Sequence, residues 1–265
     1  MHILDDPTIS ARVARFLAAR GERWESTSVE QIRLSATARG PDGPLTSVPD
    51  DLIEAAIAFE ERYGGLAYRP RPGENYMEYG LDGEAYFCWT PECGWSMPAA
   101  LIDGSWTWPV SLLFDGRTTM EPGEWSDRVI DRTLAQRLEK HALLAEVAAW
   151  PHATFTYVTE PQQLPDIDVC DMRLIEEATG PTDRWWHDGE TAVHLALVGW
   201  PKSEDHWVLR CFARTGEQLP DVLHRVNRLG PIDEWCSICC RFLKPFRPSY
   251  TPQGKPGYCL PSPSD

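Results

Sequence analysis

Apolar and polar positions alternate along this chain with two periods. Ile9, Val13, Phe16 and Leu17 fall on one helical face and predict a helix over residues 7–20. Asp6 would be its N-cap, Pro7 its first helical position, and Gly21 its far end. A turn-rich break follows at Arg39-Gly40-Pro41-Asp42-Gly43-Pro44. Leu52, Ala56, Phe59 and Tyr63 repeat at helical spacing after the entry Ser47-Val48-Pro49-Asp50, and Gly64-Gly65 stops that helix. Strand-like runs come next, over 76–79, 84–90, 101–106 and 110–114. A third helix is predicted over 127–149, with Ile130, Leu134, Leu138, Leu143 and Leu144 on its apolar side.

Trp150-Pro151 is the candidate domain boundary. Beyond it the pattern predicts a strand over 154–158 and a short helix over 171–179 closed by Gly180-Pro181. A hairpin of 191–200 and 206–212 follows, then a helix over 219–229. Prolines recur every few residues over 245–265, which reads as an extended tail. Helices mixed with antiparallel strands predict an α+β protein rather than a regular βαβ alternation. The expected division is residues 1–150, a small α+β lobe over 151–244, and the tail.

Charge sharpens this picture. Lys and Arg number 25 and Asp and Glu 40, a formal net charge of −15. Such a chain repels phosphate, so nucleic acid and anionic membranes are not expected partners, and a basic protein is. The start lacks a basic, then apolar, leader pattern, and the longest apolar runs, near 142–150 and 193–200, are too short to span a bilayer. A cytoplasmic location is the expectation. Twelve tryptophans supply large rings for a core or for contacts.

Catalytic signatures are sparse. Gly-x-Gly-x-x-Gly, the P-loop, Gly-x-Ser-x-Gly, His-Glu-x-x-His and the zinc-deaminase pattern are all absent. Cys236, Cys239 and Cys240, with Cys259 further on, could hold a structural zinc, since Cys-x-x-Cys lets two thiolates reach one ion. Cys88, Cys93, His206 or His224 could complete such a site, and reduced thiols without metal are the simpler expectation, so no cofactor is called for. His187-Asp188-Gly189-Glu190 sets acid and base types side by side, but an Asp-Gly turn in a hairpin explains it better than catalysis. His194, in an apolar run, reads as a core histidine with its polar atoms satisfied.

The segment from Val48-Pro49-Asp50-Asp51-Leu52 through Phe59-Glu60-Glu61-Arg62-Tyr63-Gly64-Gly65-Leu66 resembles the SUKH superfamily. Members show an apolar-Pro entry, a helix ending in an aromatic, a Gly-Gly stop and then a strand-rich sheet. The resemblance covers roughly residues 26–150 and leaves 151–265 unexplained. It departs from the family in the proline-rich stretch over 69–73 and in a strand region rich in Trp and Cys. Tyr63, Gly64 and Gly65 match the family motif and read as structural. The resemblance implies a non-enzymatic immunity protein that binds and occludes a toxin, often a nuclease. Acidic charge fits that role on its own, because an acidic inhibitor is steered toward a cationic active surface. Tyr76, Tyr79, Trp106, Trp108 and Trp125 are the candidate contact rings. Two other readings stay open: an enzyme with a site between the two halves using His187, Asp188 or the cysteines, and a regulatory adaptor.

Overall fold

The computed structural model describes residues 1–39, 45–46, 48–70, 76–81, 85–102, 105–120, 128–158, 169, 172–198 and 206–226. The chain is a mixed α/β protein with two sheets flanked by helices. It divides into two compact units, Met1–Ala145 and Glu146–Asp265.

In the first unit a short 3-10 turn, Ile3–Asp5, leads to α1 (Ala11–Arg20). This helix starts later than residue 7. Ser10, not Asp6, caps it by accepting from the Val13 N–H at 3.1 Å. Asp6 is used otherwise: it accepts from the Thr8 N–H and hydroxyl and pairs with Arg62 at 2.6 Å. β1 (Glu22–Arg23) is followed by α2 (Val29–Ser35), a helix the apolar pattern alone does not reveal. Only Ile32 of α2 is buried, and its N-cap Ser28 accepts from the Gln31 N–H.

β2 (Thr37–Arg39) and β3 (Leu45–Thr46) precede α3 (Asp50–Tyr63). α3 buries Leu52, Ala56 and Phe59, as its spacing predicts, and Ile57 besides, while Tyr63 is half-buried; Asp50 and Asp51 stand in its first turn. β4 (Leu66–Tyr68), β5 (Met77–Tyr79), β6 (Tyr86–Thr90), β7 (Gly94–Ile102), β8 (Ser105–Leu113), β9 (Thr118–Met120) and β10 (Val129–Asp131) complete the sheet, and α4 (Leu134–Val147) follows. The strand expected at 101–106 is divided between β7 and β8. Trp95, Met97 and Ala99 already belong to β7, whose pairing with β8 shifts register just after Pro98. The helix expected from residue 127 starts at Leu134, because Val129–Asp131 pairs with β9 and Thr133 caps the helix through the Gln136 N–H.

β7 is the hub of the sheet. Ser96 pairs with Cys88 of β6 on one edge and with Leu113 of β8 on the other, and Ala100 pairs with Tyr79 of β5 and Val110 of β8. β5 and β6 therefore share one edge of β7, and the sheet forks there. One branch runs β5, β4, β1; the other runs β6, β2, β3, with β2 parallel to β6.

The second unit is simpler. β11 (His152–Val158), β12 (Arg173–Leu174), β13 (Asp183–His187), β14 (Thr191–Val198) and β15 (His206–Ala213) form an antiparallel sheet in the order β11-β15-β14-β13-β12. α5 (Gln218–Val226) buries Leu219 and Val222 in a cluster with Val193, Leu195, Trp207, Leu209 and Cys211. The short helix expected over 171–179 is instead the strand β12 and a turn at 176–178. Leu174 pairs with Trp186, and Thr179 accepts from the Trp185 N–H. The expected hairpin is present as β14 and β15, paired from Thr191–Ala213 to Val198–His206. The tail over 245–265 lies outside the described residues.

Candidate functional site

Three polar assemblies stand out, two buried and one open. The first lies under the first unit's sheet. Asp131, at 0% exposure, accepts from Arg137 at 2.8 Å, Lys140 at 2.7 Å and the Thr118 hydroxyl at 2.6 Å. Burial alone would raise its pKa; Lys140 and Arg137 overcome that and hold the carboxyl at about 2. Arg137 is raised in turn by Asp131 and by the two nearby tyrosines. Tyr68 and Tyr79 share a hydrogen bond at 2.8 Å, and Tyr68 also meets His141 Nδ1 at 2.7 Å. Both phenols are fully desolvated and have raised pKa values. This is an ion-paired interior in which one carboxylate faces two cations.

The second assembly sits in the other unit's sheet. His194 Nε2 meets Asp183 at 2.7 Å, and Arg210 meets His194 Nδ1 at 3.2 Å. Arginine can only donate, so Nδ1 accepts and the Nε2–H donates to Asp183: the imidazole is neutral. Trp185 stacks on it with ring centroids 3.8 Å apart. His194 is thus the satisfied core histidine its apolar run predicts.

The third assembly opens to solvent. A cavity of about 350 Å³ is lined by Trp24–Thr27, Gln31, Glu60, Gly65–Ala67 and Glu78–Gly80. The Gly64-Gly65 stop builds it. Gly65 has φ +74°, and its carbonyl accepts from the Trp24 N–H at 2.6 Å, so the chain entering from β1 is laid against the end of α3. A Cβ on Gly65 would run into the Trp24 carbonyl. Glu60, one turn back on α3, is only 4% exposed. Its two oxygens accept from the Thr27 N–H at 2.6 Å and the Leu81 N–H at 3.0 Å, tying both flanking segments to the helix. Burial raises its pKa against the pull of those hydrogen bonds.

At the mouth, Trp24 is 42% exposed and lies 5.3 Å from the Tyr76 ring. Glu22 accepts from the Trp24 indole at 2.9 Å and from the Tyr76 hydroxyl at 2.7 Å. The Arg69 guanidinium sits 4.3 Å over the Tyr76 ring. Glu25 is exposed beside them.

Of the candidate contact rings, Tyr76 stands at this mouth, half-buried. Tyr79 is 3% exposed and belongs to the core, because its hydroxyl is committed to Tyr68; it is not a contact anchor. Trp106 and Trp108 fall on β8, their side chains outside what is described, and Trp125 lies outside the described residues. Trp24, whose ring is exposed, is missed by reasoning from strand positions; its neighbours Glu22 and Glu25 are the signal in the sequence. Tyr63 packs with its ring centroid 5.7 Å from that of Phe59.

Cys236, Cys239, Cys240 and Cys259 lie outside the described residues. Among the described residues, no group of three or more His, Cys, Asp or Glu side chains is arranged to hold a metal. Cys88 and Cys93, both half-buried, and Cys211, buried, are in no disulfide. Asp188 accepts from the Glu190 and Thr191 N–H groups and the Thr191 hydroxyl, and His187 Nδ1 accepts from the Gly189 N–H. Gly189 takes φ +101°, so these residues form the Asp-Gly turn joining β13 and β14. Among the described residues, no helix is long and apolar enough to cross a membrane. No family model, no curated protein and no solved structure matches the chain.

Proposed function

We propose that this chain is a non-enzymatic binding protein that occludes a basic protein partner, in the manner of an immunity protein neutralising a nuclease-type toxin. The observation that carries the reading is the open acidic and aromatic site of the first unit. A half-exposed Trp24 and a Tyr76, their rings tilted at 47° to each other, are both bonded to Glu22 at the mouth of a cavity whose charged lining residues are Glu25, Glu60 and Glu78. Aromatic anchors held rigid before contact lose little freedom on binding, and carboxylates around them favour a cationic partner. The net charge of −15 supports the same direction by steering such a partner inward.

A SUKH-like first unit belongs to this proposal. What supports it is the run of α3 into Gly64-Gly65, the sheet that follows, and α4 behind that sheet. The second unit would serve as an added lobe, cytoplasmic like the first. The test is growth rescue: the chain is co-expressed with the product of each neighbouring gene. Rescue from a toxic neighbour, with a one-to-one complex on purification, is the expected result. Toxicity that the chain neither relieves nor binds would overturn the reading.

A further inference from the structure

A strand that ends a sheet carries unpaired backbone groups, and among the described residues most such strands are short. β1, β3 and β12 have two residues each and β10 has three. β11 differs. It ends the second unit's sheet over seven residues, His152–Val158, and pairs with β15 along its whole length without a bulge. The run contains no Lys, Arg, Asp, Glu or Pro, the residues that ordinarily keep an edge strand from pairing again. Among the described residues, no strand lies on its other side.

The neighbouring ladder fixes which of its groups face outward. The Arg214 N–H donates to the Glu190 carbonyl, one step beyond the Thr191–Ala213 pair. Hydrogen-bonded pairs recur at every second residue of an antiparallel ladder, so the even-numbered residues of β15 turn their N–H and C=O groups to β14 and the odd-numbered ones turn theirs to β11. Ala213, Cys211, Leu209 and Trp207 are therefore the bonded partners of His152, Thr154, Thr156 and Val158. The N–H and C=O groups of Ala153, Phe155 and Tyr157 point away from the sheet.

We propose that β11 is where two copies of this chain pair, antiparallel about a two-fold axis at Phe155, so that their two sheets become one. The outward positions are symmetric about Phe155, and a second copy therefore meets every outward donor with an acceptor. Phe155 pairs with Phe155 and Ala153 with Tyr157, each pair exchanging both N–H···O bonds. Thr154 stands opposite Thr156, and no like charges face each other. Charge selects this strand as well. Two copies with a net charge of −15 repel at long range, and an uncharged edge lets them touch without setting carboxylates together. The proposal does not rest on the inhibitor reading, and its test involves no toxin.

The test uses the full chain. Sedimentation equilibrium between about 0.1 and about 500 µM is expected to show a reversible rise from the mass of one chain to that of two. Amide hydrogen exchange, resolved residue by residue, is followed at both ends of that range. The expected pattern alternates. Thr154, Thr156 and Val158 exchange slowly throughout, because β15 holds them, whereas Ala153, Phe155 and Tyr157 slow by at least about tenfold only as the dimer forms. Ala153→Pro removes one outward donor and none that β15 uses, and should weaken the dimer at least about tenfold with the unfolding midpoint held. Where that variant does not fold, the exchange pattern decides. A mass that does not change with concentration would overturn the inference. A dimer whose three outward amides exchange as in the monomer would be built elsewhere and would overturn it too. Slow exchange of those amides in the monomer would do the same, by showing the edge covered from within the chain.

Discussion

The two units arrange their buried charges differently, in direct contact in one and through a bridging imidazole in the other. In the first, full charges are interred together: Asp131 with Arg137 and Lys140, all behind a forked sheet of short strands. In the second, a neutral imidazole is set into a regular sheet, His194 between Asp183 and Arg210 with Trp185 stacked on it. A buried ion pair gains little over an apolar core of the same shape, but it fixes one arrangement, because any other leaves a charge unmatched. The forked sheet has that need: its strands are mostly two to five residues long and supply few ladder hydrogen bonds each. The second unit's strands are longer and continuously paired, and the charges set among them, Asp183 and Arg210, are bridged by the His194 imidazole. The open site belongs to the irregular unit, where the β1–β4 ladder runs out one residue further on, at Trp24 and Gly65.

The strongest way to break the comparison is Asp131→Asn. It leaves Arg137 and Lys140 buried or nearly so without their carboxylate, and should cost about 3–5 kcal/mol in denaturant unfolding. A loss near zero would show that Asp131 does not hold Arg137 and Lys140 as described. His194→Phe keeps the stack on Trp185 but removes the donor to Asp183. Its cost should be smaller, about 1–3 kcal/mol, the penalty for leaving Asp183 without that donor and Arg210 without the Nδ1 acceptor. A cost equal to that of Asp131→Asn would erase the contrast between the units.

Acid unfolding sharpens it further. Asp131 has its pKa depressed from 3.8 to about 2, so the stability it contributes is present above 3.8 and lost as pH falls toward 2, about 2 kcal/mol in all. Glu60 acts with the opposite sign: its raised pKa means that protonation relieves a penalty, and its share of stability grows on acidification. Wild type should therefore lose stability between pH 4 and 2 by more than Asp131→Asn does. Equal slopes would contradict the assignment. Gly65→Ala forces a left-handed backbone on an L-residue and should cost at least about 1–2 kcal/mol, with Trp24 more open to a fluorescence quencher. The smallest effect is chemical. Burial pushes the Cys211 thiol up to about 12, so alkylation near neutral pH, read site by site by mass spectrometry, should mark Cys88 and Cys93 and spare Cys211.

Much of the helical frame was legible from periodicity: α3 and its Gly-Gly stop, the core of α1, and the β14–β15 hairpin. What escaped had physical reasons. α2 buries one side chain, so it carries no apolar stripe, and its signal is the Ser28 cap. Val129–Asp131 read as helix because Ile130 is in phase with Leu134 and Leu138; strand pairing with β9 outweighed that phase. The open site was half legible. Tyr76 was named and Trp24 was not, because their meeting depends on Gly65 accepting from the Trp24 N–H, a contact between residues far apart in sequence. Tyr79 was misplaced as a contact because alternation along a three-residue strand does not say which face is solvated.

The central claim is stoichiometric occlusion. It is tested most directly by titrating the chain against the activity of the toxin identified by growth rescue, with the toxin held well above the dissociation constant of the complex. The account predicts a linear fall in activity that ends at one equivalent of chain per toxin, with active toxin recovered when the complex is taken apart. Activity abolished by a small fraction of an equivalent, with the toxin permanently altered, would show an enzyme acting on its target and would contradict it.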